Sequence, residues 1–150
     1  MPPTCWMLST TADCGLAGVV AYPGEMSSFP SPESVVQQQL DAYNARDLDA
    51  WLATYAEDAL QFEHPAKLLA TGHAEIRART AVRFTEPNLH ARLIQRSVMG
   101  HVVIDEEEIT RTFPEGTGRV GLVCIYEVRE GKIRTASFVF GEKVLDAGRA

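Results

Sequence analysis

The stretch from Arg119 to Val128 constrains this chain more than any other. Side chains in a strand alternate between faces, so Leu122, Cys124 and Tyr126 point one way and Val123 and Ile125 the other. A strand that is apolar on both faces must be covered on both. Glu130-Gly131 then reads as a hairpin turn, and Lys132 to Phe140 as the returning strand. Ile133 and Val139 lie on one of its faces, and Ala136, Phe138 and Phe140 on the other. One side of this sheet can roof an interior. The other side needs separate cover, which predicts a homodimer through the convex sheet face.

Upstream of this hairpin, Leu89 to Met99 alternates as a long strand, with Gly100 as a bend and strand character resuming from His101. Asp105 to Glu108 is a run of four acids, read as a solvated turn, and Ile109 to Phe113 as a further strand. The first half of the chain is helical in pattern. Ser31-Pro32-Glu33 is a helix start, with a capping Ser, a Pro at the first helical position and an acid in the first turn. Val36, Leu40 and Tyr43 continue it on one face. Asp47 caps a second helix whose face is Leu48, Trp51, Leu52 and Tyr55. Trp51 and Tyr55 fit core packing, and equally a cavity wall into which Tyr55 turns its hydroxyl. A third helix is expected from His73 to about Phe84, with Arg77, Arg79 and Arg83 on a solvated face.

Between the second and third helices lies Ala59 to Pro65, a short strand ending in Glu63-His64 and stopped by proline. Glu63 and His64 are the candidate catalytic residues: either side chain can carry a proton near neutral pH once buried or suitably placed. Alternation allows at most one of them to face an interior, unless the strand bulges. His64 is favoured as the inward one, with Glu63 as its orienter or a surface acid.

Several function classes are excluded. A net charge of −6 opposes a nucleic-acid partner, which needs clustered Lys and Arg. It suits a small neutral or weakly polar ligand. Cys5, Cys14 and Cys124 are too few and too scattered for a disulfide framework or a zinc site, which predicts reduced thiols in a cytoplasmic protein. Cys124 reads as a small buried hydrophobe. His73, His90 and His101 have no metal-ligand spacing, so neither metal nor cofactor is expected. No apolar run reaches a membrane span. Residues 1–30 hold neither Lys nor Arg and read as a poorly ordered extension, with Met26 as the natural start. The domain is expected over 31–142, with 143–150 as a tail.

The residue runs Tyr43 to Ala50, Tyr55 to Ala59, Glu63-His64-Pro65, Gly72 to Arg77 and Tyr126 to Ile133 together resemble the nuclear transport factor 2-like superfamily. Within it they look most like the SnoaL-like and ketosteroid-isomerase-like proteins. The resemblance implies an α+β cone, a curled, mostly antiparallel mixed sheet with three helices enclosing one apolar pocket. Trp51, Tyr55, Phe62, Cys124, Tyr126 and Phe138 would line that pocket. A base at His64 or Glu63 is implied, according to whether the stretch is matched from Pro65 or from Asp58-Ala59. The hydroxyl and carboxyl donors of ketosteroid isomerases fall on Gln39 and on Val123 or Cys124 here, so that reaction lacks its oxyanion partners. The expected function is a cofactor-independent isomerase, lyase or hydrolase acting on a steroid-, terpenoid- or polyketide-like molecule. The alternative is a ligand-binding or accessory protein without turnover.

Overall fold

The computed structural model describes residues 28–146. The expected start at Met26, the reading of residues 1–27 and the last four residues lie outside them. Helix α1 spans Pro32–Ala45, with the Ser31 side chain accepting from the Ser34 amide at 3.2 Å. It ends where Arg46 enters the left-handed region, and Asp47 then caps α2 (Leu48–Ala53) by accepting from Ala50 at 3.0 Å. Strand β1 (Tyr55–Glu63) follows, then β2 (Lys67–Thr71), α3 (Gly72–Arg83), β3 (His90–Met99), β4 (Val102–Phe113), β5 (Gly116–Arg129) and β6 (Lys132–Leu145).

These strands form one six-stranded sheet in the order β2-β1-β6-β5-β4-β3. The β1–β6 pair is parallel and every other pair antiparallel. The architecture is therefore α+β, with an open mixed sheet and three helices packed on one face. Two long hairpins carry most of the sheet. Glu130 and Gly131 both take positive φ, the backbone of a tight two-residue turn whose twist matches its strands. At the other end of α1, the Asn44 amide donates to the Ala91 carbonyl at 2.9 Å and its oxygen accepts from the Ala91 amide at 2.8 Å. That pair pins the helix across the edge strand.

The inward row of β4 is Val103, Asp105, Glu107, Ile109 and Arg111, all buried or half-buried, while Ile104 and Glu106 are exposed. This corrects the reading of Asp105 to Glu108 as a solvated turn. The chain reverses earlier, at Gly100-His101, and the acids cross the middle of the sheet. Asp105 is fully buried because Arg96, opposite it on β3, binds both its oxygens at 2.7 and 2.8 Å. Three further boundaries moved. Tyr55 opens β1 rather than ending α2, Lys67–Thr71 is a strand rather than a connection, and β6 runs to Leu145, past residue 142. Tyr55, Lys67, Leu68, Ala70, Thr71, Lys143, Val144 and Leu145 each gain a ladder partner that local pattern does not reveal.

Candidate active site

The helices and the inner sheet face enclose a cavity of about 100 Å³. Gln39, Leu40 and Tyr43 enter it from α1 and Trp51 from α2. Strand β1 supplies Tyr55 and Gln61; β5 supplies Leu122, Cys124 and Tyr126 among others; β6 supplies Phe138 and Phe140. Its charged lining is Arg79 and Arg83 from α3 and Glu107 and Arg111 from β4. Exposed Arg79 and Phe140 mark where it opens to solvent.

Five residues expected in the lining, Trp51, Tyr55, Cys124, Tyr126 and Phe138, border this cavity. Phe62 does not, because the inward side chain at that level of β1 is Gln61, only 1% exposed and level with Ala136 of β6. Phe62 lies on the outer face, level with Leu68 and Ser137. Glu63 and His64 also lie outside the lining. Glu63 is half exposed, with Lys67 at 3.8 Å, and exposed His64 uses its backbone amide to bond the Phe138 carbonyl at 2.8 Å. The strand has run past the cavity by the time it reaches them.

The acid that the cavity does contain is Glu107. It is 4% exposed, and its Oε1 has no hydrogen-bond partner among the described residues. The Cys124 thiol approaches its Oε2 at 4.0 Å. Burial pushes the carboxyl up to about 7, Asp105 adds to the rise and Arg96 opposes it. Burial likewise raises the Tyr43, Tyr55, Cys124 and Tyr126 groups, so all four stay protonated near neutrality. The Tyr55 hydroxyl is buried and unpartnered, although the Gln61 and Gln39 amides lie near enough to favour its ionised form. The Trp51 indole N–H is a second unused donor.

Two arginines expected on a solvated helix face belong here instead. Arg79 donates to Gln61 at 3.0 Å and lies 5.8 Å from the Phe138 ring centre, and Arg83 approaches Glu86 at 3.6 Å. Arg77 and Arg79 both keep the expected exposure: Arg77 pairs with Asp49, and Arg79 stands at the cavity mouth. The signals were present in the sequence. Ile76, Arg79, Thr80 and Arg83 share helical spacing, and Val103, Asp105, Glu107 and Ile109 share strand spacing. Among the described residues, no group of three or more His, Cys, Asp or Glu gathers as metal ligands. No helix there is long and apolar enough to cross a membrane.

A mixed sheet with three helices over a pocket is the nuclear transport factor 2-like fold. Residues 36–136 match the SnoaL-like domain, and the chain belongs to that family. Solved structures agree on the fold. An uncharacterized cystatin-fold protein of Novosphingobium aromaticivorans superposes with a TM-score of 0.67 at 22% identity, over 73% of this chain and 97% of that one. A protein of Catenulispora acidiphila with a ketosteroid isomerase-like fold, solved with trimethylamine, gives 0.61 at 18% identity, over 73% and 85%. An LEH-like epoxide hydrolase of M. tuberculosis gives 0.59 at 16% identity, over 71% and 80%. No curated protein matches the sequence.

Proposed function

We propose that this protein binds a small, largely apolar molecule in the cavity and moves a proton on it without a cofactor, with Glu107 as general acid–base. The observation that carries this reading is a buried carboxyl, lining the cavity, with one oxygen left unpartnered. A group held near 7 is populated in both protonation states at neutral pH, the condition for efficient proton transfer. The unused Tyr55 hydroxyl and Trp51 N–H supply donors for charge developing on the ligand. They replace the donors that Gln39 and Cys124 lack. The base expected at His64 or Glu63 thus passes to Glu107, because the former pair lies outside the lining.

The cavity is smaller than the ~300–1,000 Å³ of drug-sized sites, which supports a ligand of one or two rings, terpenoid- or polyketide-like, rather than a steroid. The same unpartnered groups would also hold such a ligand without turnover. A panel of small ketones, epoxides and enones separates the two readings. Turnover lost by about 100-fold in Glu107→Gln but kept in His64→Ala and Glu63→Ala supports the enzyme. Turnover indifferent to Glu107→Gln removes Glu107 from the chemistry. Thermal stabilisation by ligand with no turnover leaves a binding protein.

The same reading includes a homodimer. Ile104 and Val139 are 38% and 39% exposed on the outer sheet face, flanking Val123 and Ile125. A contiguous apolar sheet face of this kind is the surface a second copy would cover.

A further inference from the structure

The protein is acidic overall, at −6, yet its cavity is lined by three guanidinium groups and one carboxyl. The arginines converge from two elements, Arg79 and Arg83 on α3 and Arg111 on β4. Arg83 and Arg111 share one counter-charge, Glu86, whose Oε1 lies 3.6 Å from Arg83 Nε and 3.2 Å from an Arg111 terminal nitrogen. Its other oxygen accepts from the Thr112 amide at 3.1 Å. Glu86 therefore offsets one of three positive charges and is already saturated. Arg111 Nε is buried and has no hydrogen-bond partner among the described residues. A buried donor left unmatched is costly, and a donor at a cavity wall is the kind a ligand satisfies.

Glu107 forms no ion pair with this cluster: the Cys124 thiol approaches its Oε2, and its Oε1 has no hydrogen-bond partner among the described residues. Glu107 and Arg111 stand four residues apart on β4, about 13 Å along the strand, and Tyr43 lines the same cavity, its hydroxyl influenced by Arg83, Glu107 and Arg111. The cavity thus has a carboxyl end and a cationic end, with the Phe138 and Phe140 rings 6.2 Å apart in its wall.

We propose that the ligand is an amphipathic acid, a small apolar body carrying a carboxylate that Arg83 and Arg111 bind while the body rests against Phe138 and Phe140. The proposal rests on the reading that this cavity holds a small molecule, and it narrows the class from neutral to anionic. A planar carboxylate suits the guanidinium fork, and Glu86 shows these two arginines already sharing one.

The test is a binding titration of matched probes, phenylacetate and cyclohexanecarboxylate against their primary amides, with inorganic phosphate as a bare anion. The acids should bind roughly tenfold or more tightly than their amides at low salt, and the margin should shrink as salt rises. Arg83→Gln, at a partly exposed side chain, should weaken acid binding more than amide binding and so erase most of the margin. Arg79→Gln, which leaves the Glu86 pair intact, should reduce it less. Equal binding of acid and amide overturns the inference while the cavity reading stands. Phosphate competing as well as the organic acids also overturns it, by making the cluster a bare anion site. If neither acid nor amide binds, the cavity reading fails and this inference with it.

Discussion

Burying Glu107 has a thermodynamic consequence that a single substitution exposes. Its carboxyl ordinarily titrates near 4.5 and in the folded protein near 7. The folded state therefore holds the proton more tightly than the unfolded chain does. Its contribution to stability is fully present below pH 4.5 and is lost as pH rises through 7. The whole difference corresponds to about 3 kcal/mol, most of which falls between pH 5 and pH 8. Glu107→Gln keeps the shape of the protonated acid and removes the titration. Urea unfolding of both proteins at pH 5 and pH 8 isolates the effect, because every other titrating group cancels in the comparison. The variant should gain on the parent by about 2–3 kcal/mol between the two pH values, becoming the more stable protein at pH 8. Parallel stability profiles for the two proteins would show that Glu107 titrates normally, and the argument for it as a proton carrier at neutral pH would fall with it.

Other consequences follow from neighbouring features. Arg96→Met strands Asp105, which is 0% exposed, as a buried unpaired charge and should cost about 3–5 kcal/mol in urea unfolding. The double variant Arg96→Met with Asp105→Leu should recover much of that loss. A Cβ at Gly118 would meet the Val144 carbonyl oxygen at 2.5 Å, so Gly118→Ala should cost about 1–3 kcal/mol and loosen the β5–β6 end in hydrogen exchange. Val139→Glu or Ile125→Asp, on the outer sheet face, should convert a dimer to a one-chain mass in light scattering without altering the cavity. A parent protein already of one-chain mass at micromolar concentration would remove the dimer reading.

Much of the fold was legible because local pattern is a local property. The Ser31 and Asp47 caps, the Glu130-Gly131 turn and the two-faced strand each declare themselves within a few residues. The failures cluster where a residue's meaning depends on a distant partner. Asp105 and Glu107 read as a solvated run because four consecutive acids resemble a turn. They are buried because Arg96 on β3 binds Asp105 and because Glu107 can exist as a neutral acid. The period-2 alignment of these acids with Val103 and Ile109 was the available signal, outweighed by composition.

The sequence alone determined the order of the helices and most strands, the α+β class, the family and most of the apolar lining, since hydrophobic period and turn chemistry are written along the chain. Only the tertiary structure decided which polar groups share the cavity. Gln39, Gln61, Arg79, Glu107 and Arg111 come from α1, β1, α3 and β4, and strand register and helix placement set which of them face one another. The proposed site is therefore Glu107 in the sheet centre rather than Glu63-His64 at a strand end, which lies outside the cavity lining. A side chain's chemistry depends on its burial and charged neighbours, and both are properties of the packed molecule.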